Sequence, residues 1–230
     1  VAGGGGLISV PALLWSGLTP QMALGTNKMQ STWGTLMAVR KYAKAGLVSW
    51  REARLTVLVT FVFACAGSWT VTQVSNEMLK KIVPWMLLGI ALYVLLSPGF
   101  GKVPAKARLG MAAFAGIAGV VLGFYDGFFG PGTGSFFIFL FVRVLGYDFL
   151  HASASAKLLN CATNMAAIAL FAAKGHVWWH FAVTLAVANV LGSLLGTHMA
   201  LKHGTGFVRG IFIVVVSTLI LKTGYDAFLR

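Results

Sequence analysis

Charge is scarce in this chain, and negative charge scarcer still. Only 10% of its 230 residues are Asp, Glu, Lys or Arg, and 5 residues are acidic. A soluble domain carries about a quarter charged residues, so this chain lacks the polar surface that water requires. Its 2 cysteines, Cys65 and Cys161, both lie inside apolar runs and form neither a disulfide framework nor a thiolate zinc site. The histidines, His151, His176, His180, His198 and His203, fall near predicted helix ends without the spacing of metal ligands. No metal or cofactor is expected. A membrane-embedded enzyme needs an acid/base pair, an activated nucleophile or a metal cluster, and the few carboxylates and scattered His and Cys argue against one.

What the chain has is apolar length. Hydrophobic residues make up 58% of it, and the mean hydropathy is +0.83. Uncharged runs cover 55–76, 82–101, 109–125 and 158–173, close to or above the roughly 17–25 residues that cross a hydrocarbon core. The chain reads as an all-α polytopic membrane protein. Its formal net charge of +13, from 18 Lys and Arg, fits the basic cytoplasmic loops of such proteins better than a nucleic-acid surface.

Nine apolar segments are expected: 6–15, 22–43, 53–74, 79–96, 109–126, 135–145, 152–173, 178–202 and 207–228. The first and sixth follow GGGG and GPGTG and are too short to span. Glycine frees the backbone from helical geometry and Pro131 removes a donor. Such backbone is tolerated at membrane depth only inside protein or beside a wet cavity, so each break is expected to be a re-entrant hairpin.

The two breaks belong to a duplication. At one offset of 129 positions, Gly5 maps onto Gly134, Gly17 onto Gly146, Lys28 onto Lys157, Gly46 onto Gly175, Trp50 onto Trp179 and Gly67 onto Gly196. The repeats are placed at 1–101 and 102–230. The helix 109–126 precedes the second break, and its counterpart would precede Val1, so a first helix is expected to be missing. Arg40, Lys41, Lys44, Arg51 and Arg54 mark the loop after the second segment as cytoplasmic, with Lys102, Lys106 and Arg108 on the same side. The equivalent loop at 174–180 is poor in basic residues and falls outside. The expected architecture is therefore two inverted-topology repeats, each with a re-entrant glycine-rich hairpin and three transmembrane helices.

The segment GFYDGFFGPGTGSFF resembles the TauE/SafE family of sulfite exporters, as do AGGGGLISVPALL, GLTPQMALGTNKMQS and ASAKLLNCATN. The likeness covers the whole chain apart from the first helix. It implies secondary export of small anions such as sulfite, sulfonates and sulfoacetate across a bacterial inner membrane. Alternating access is the expected mechanism and an anion channel the alternative. Lipid and a small anion are the expected partners, coupling to protons or another ion is possible, and the oligomeric state stays open.

Helix starts in mid-membrane present unpaired N–H groups and a positive dipole end to an anion. The candidate substrate-binding residues at the breaks are Gly4, Gly5 and Gly6, and Gly132, Thr133, Gly134 and Ser135. The competing reading is that these glycines only let helices pack closely. Lys28 and Lys157 lie about two turns inside their helices, where they either attract the anion or snorkel to the interface. Asn27, Gln30, Asn160 and Asn164 either bind anion oxygens or join helices. Lys157, Asn160 and Asn164 share one helical face. Asp126 is a pairing or coupling candidate: it could pair with Lys157, cap a helix or carry a proton. Asp148 is expected at the interface beside Arg143.

Overall fold

The computed structural model describes residues 5–83, 85, 86 and 110–228. Every regular element among them is helical. In chain order these are α1 (Gly6–Trp15), α2 (Pro20–Lys44), α3 (Trp50–Gln73), the short α4 (76–83), α5 (Met111–Phe128), α6 (Thr133–Val144), α7 (Phe149–Ala173) and α8 (Trp179–Phe228). The protein is an all-α membrane protein. Among the described residues, α3, α5, α7 and the stretch Trp179–Gly204 of α8 are long and apolar enough to cross a bilayer. The expected span 79–96 and the basic residues 102, 106 and 108 lie mostly or wholly outside the described residues, as does Gly4.

The helix limits follow local chemistry. The Thr19 hydroxyl accepts the Met22 N–H at 3.4 Å and Pro20 supplies a preset φ, which together start α2. Its last turn carries Lys41 and Lys44 at the negative end of the dipole. It stops where Gly46, at φ +73°, takes the left-handed conformation. Asp148 and Gly175, also at φ +73°, do the same for α7. Both helices have 25 residues, and adding 129 to the bounds of α2 gives the bounds of α7.

Helix α2 differs from the expected apolar span. It is long enough to cross, yet Lys28, Arg40, Lys41 and Lys44 and its amides and hydroxyls exclude it from the apolar set. Neighbouring helices enclose it instead, and Gln21, Thr26, Asn27, Lys28, Gln30 and Thr35 are all buried. The lipid-exposed counter-example is α8, where Val183, Val187, Leu191 and Leu195 form an exposed stripe at helical spacing. A kink at Gly204 (φ 71°, ψ −162°) divides α8 near the end of the expected span 178–202.

Small residues set the closest contacts. Gly119, Gly123 and Gly127 recur every four residues on α5 and face Val59, Thr60 and Ala64 of α3. A Cβ on Gly127 would lie 2.1 Å from the Ala64 carbonyl oxygen, and the Ser68 hydroxyl donates to the Gly127 carbonyl at 3.0 Å. This is the small-xxx-small packing of membrane helices. Just upstream, Ala115–Gly119 forms a π-helical segment inside α5.

Helices α2 and α7 run in opposite directions. Gly25, near the start of α2, meets Phe171 and His176 at the end of α7. The Thr26 hydroxyl accepts the Trp178 N–H at 3.0 Å. Conversely, residues 47–49 beyond α2 and 146–148 before α7 line one cavity of about 210 Å³.

Candidate functional site

The two glycine breaks touch. Between α5 and α6 the chain turns through Gly130 at φ +92° and Gly132 at φ +84°, conformations that suit glycine. The Tyr125 hydroxyl donates to the Pro131 carbonyl at 2.7 Å, and the Thr133 hydroxyl donates to the Gly130 carbonyl at 2.7 Å. These bonds fix the turn, and α6 then starts with Thr133, Gly134 and Ser135, all buried. The Gly134 N–H has no acceptor among the described residues. Gly5 precedes the first turn of α1 and its carbonyl takes the Ser9 N–H at 3.0 Å. A Cβ on Gly6 would sit 3.2 Å from the Pro131 Cα and 3.4 Å from Asn27 Nδ2. Neither short helix spans a bilayer: 12 residues rise only about 18 Å.

Lys28 enters this junction from α2. Its Nζ lies 3.0 Å from Asp126 Oδ2, with 3% and 4% of the two side chains exposed. A Cβ on Gly130 would come within 2.8 Å of the same Nζ. The partner of Asp126 is therefore Lys28 of α2. The alternative of a pair with Lys157 on the neighbouring α7 is corrected: opposed directions of α2 and α7 carry the two lysines apart. Asp126 also caps no helix, since it lies inside α5. Asn27 Oδ1 accepts from the Ser9 hydroxyl at 2.5 Å and from Gln30 Nε2 at 3.0 Å. So Asn27 and Gln30 are held in place beside Gly6 and Lys28.

The candidates on α7 are placed differently. Lys157 is half-buried, and among the described residues its side chain makes neither an ion pair nor a hydrogen bond. Asn160 is half-buried and Asn164 buried, again without a side-chain hydrogen bond among the described residues. All three keep the shared face that their spacing requires. Thr163 instead bonds back to the Leu159 and Asn160 carbonyls at 3.1 Å. Ser9, Tyr125, Gly130 and Pro131 belong to the junction; Pro131 was singled out from sequence as a break residue, and the other three were not. Their signals were position alone: Ser9 follows Gly5 by one turn, and Tyr125 and Gly130 flank Asp126 and the break.

Ionisable residues at the helix ends show ordinary causes. Burial pushes the Asp148 carboxyl up, but hydrogen bonds from His151 and the Leu150 N–H, with the His151 charge, bring it below its usual value. Asp148 thus caps α7 and pairs with His151. Burial, then the charge and hydrogen bond of Glu52, raise the Tyr147 phenol. Burial and neighbouring Lys174 lower His176.

Spanning helices around a buried polar junction, with broken backbone at its centre, define a membrane transporter rather than an inert anchor. The model for the sulfite exporter TauE/SafE family matches residues 1–223, and the chain belongs to that family. It is 37% identical over 227 residues to the "Probable membrane transporter protein YfcA" of Escherichia coli strain K12, covering 99% of this chain and 84% of that protein. A "Probable membrane transporter protein" of Haemophilus influenzae is 36% identical over 226 residues, covering 98% and 89%. "Probable membrane transporter protein ORF9" of a Sinorhizobium species is 36% identical over 222 residues, covering 96% and 85%. No solved structure matches the chain.

Proposed function

We propose that this transporter exports small anions, of the sulfite, sulfonate or sulfoacetate kind, across a bacterial inner membrane by alternating access. The observation that carries the reading is the contact between the two breaks at Gly6 and Pro131, with the buried Lys28 ammonium beside them. Short helices that begin there aim their N-terminal N–H groups and positive dipole ends into the junction. A cation in the same place adds a full charge in a medium where water screens little. The anion contacts Gly5, Gly6, Gly132, Thr133, Gly134 and Ser135 from the breaks. Lys28 provides the surrounding field at this junction and Asn27 and Gln30 shape the wall, while Lys157, Asn160 and Asn164 on α7 attract the anion elsewhere along its path.

The antiparallel course of α2 and α7 supports two repeats, 1–101 and 102–230, inserted in opposite senses with α1 and α6 as re-entrant segments. Cysteines placed singly at 47 and 176 should be labelled from opposite sides of the membrane; labelling from one side rejects the inversion. For the function itself, purified protein should melt at a higher temperature in sulfite, thiosulfate or sulfoacetate. Lys28→Met and Lys157→Met should each abolish uptake of that anion into proteoliposomes. Currents that pass unitary steps under voltage clamp would instead assign an anion channel.

A further inference from the structure

We propose that Asp126 is an exchangeable counter-ion: the transported anion replaces its carboxylate at Lys28, and Asp126 takes up one proton as the anion binds. This inference rests on the anion site described above and adds the coupling ion to it.

The reasoning starts from how the two aspartates on either side of α6 are held. Asp148 is fixed by the N–H groups of Leu150 and His151 and by the His151 ring. Asp126 is more deeply buried, yet among the described residues its one polar tether is the Lys28 ammonium, whose Nζ lies 3.0 Å from Oδ2. Carboxylates with a purely structural role in an apolar interior are held by several donors, because a buried charge is costly unless paired and hydrogen-bonded. A carboxylate held at a single point can be exchanged.

The place of exchange is set by the backbone. Lys28 Nζ lies against Gly130, in the turn from which α6 begins. An anion at the break therefore meets the ammonium that Asp126 occupies. Two negative groups on one ammonium leave an uncompensated buried charge, whereas a protonated Asp126, Lys28 as a cation and a bound monoanion sum to the same charge as the empty ion pair. The proton comes from water with the arriving anion and returns to water on release; no covalent bond changes. Among the described residues no second ionisable group opposes this. On α5 itself, Tyr125 donates to the Pro131 carbonyl. From α3, the groups facing α5 are Thr60, Ala64 and Ser68, and Lys157 of α7 makes no ion pair with Asp126.

The test is binding of methanesulfonate and of isethionate, sulfonate monoanions whose charge does not change between about pH 8 and about pH 6, by the detergent-solubilised full chain, followed by titration calorimetry. Coupled uptake of one proton predicts affinity that rises about tenfold per pH unit lowered. Asp126→Asn, a neutral stand-in for the acid, should bind with one affinity at every pH, at least as high as the unaltered protein shows at the low end. Asp126→Glu should restore the slope. A flat profile in the unaltered protein overturns the proposal, and does so even where Asp126→Asn does not fold. An unchanged slope in folded Asp126→Asn overturns it equally. Binding of neither probe by any of the three proteins at any pH overturns the anion-site reading itself, and this inference with it.

Discussion

The two ends of the α2–α7 pair share a backbone and differ in what fills them. At one end Leu13, Leu18 and Ala23 are buried together, with Leu14, Met22 and Leu185 packed against them. At the other, the positions 129 residues on from Leu18 and Met22 are Tyr147 and His151, and the position 129 residues before Leu185 is Thr56. These three line the cavity of about 210 Å³ together with Glu52 and Asp148. The Thr56 hydroxyl is buried there without a hydrogen-bond partner among the described residues. One end is sealed by hydrocarbon, while the other holds space and polar groups. Caps, helix lengths and left-handed glycines recur at an offset of 129 positions, while the side chains make the two ends different.

The sharpest break in this comparison concerns the close contact between the halves. Gly25 has Ala154 as its counterpart, and Ala154 is fully buried with its Cβ already accommodated. A Cβ on Gly25 would stand 2.0 Å from the His176 carbonyl oxygen. Gly25→Ala must therefore push α2 and the end of α7 apart, at a cost of about 3 kcal/mol. Ala154→Gly adds no clash and costs about 1 kcal/mol in helix propensity. Thermal unfolding in detergent should show the first variant losing several times as much stability as the second. Equal losses would mean that the two crossings are packed alike.

The same pair of positions shows what was legible in sequence and what was not. The caps Thr19 and Asp148 that start α2 and α7 were not read from sequence. The expected spans 22–43 and 152–173 nevertheless end close to the limits of these helices, because a helix end depends on local residues. The breaks could be read for the same reason. The burial of α2 could not, because its polarity argues for solvent and only the enclosing helices reverse that. The Lys28–Asp126 pair was equally hidden. Both residues were singled out, but 98 positions separate them, and offset reasoning relates each lysine to the other lysine rather than to its counter-ion. Ser9 and Tyr125 gave no chemical signal at all; only the meeting of the breaks makes their hydroxyls matter.

A smaller effect sharpens the contrast between the sealed and the hollow end. Leu185→Thr places a hydroxyl among Leu13, Leu18 and Met22 and removes apolar area from a half-buried site, a loss of about 1 kcal/mol. Thr56→Val does the reverse, replacing an unpartnered hydroxyl with a methyl of similar shape. It should be neutral or stabilise by up to about 1 kcal/mol. Paired melting curves decide the matter: if Thr56→Val destabilises, the hydroxyl has a partner in solution, and the cavity is polar for a structural reason.

The smallest expected difference lies in the caps and depends on acid. Thr19 offers one long bond, 3.4 Å from the Met22 N–H, while Asp148 takes the Leu150 N–H at 2.8 Å and the His151 N–H at 3.1 Å. Replacement by alanine should cost about 0.5 kcal/mol at Thr19 and about 1 kcal/mol at Asp148. Only the second has a charge to lose. The Asp148 carboxyl lies below its usual value in the folded protein, so the folded state favours the ionised form. Its contribution is complete above the unfolded carboxyl value of about 3.9. It fades as pH falls through the lower folded value. Asp148→Asn keeps a capping oxygen but no titrating charge. It should match the unaltered protein once both are below that lower value and be less stable at neutral pH, whereas Thr19→Ala should run parallel to the unaltered protein throughout. A pH-independent gap between Asp148→Asn and the unaltered protein would assign the cap to geometry alone, and the two ends of the pair would then be alike in their electrostatics as they are in their backbone.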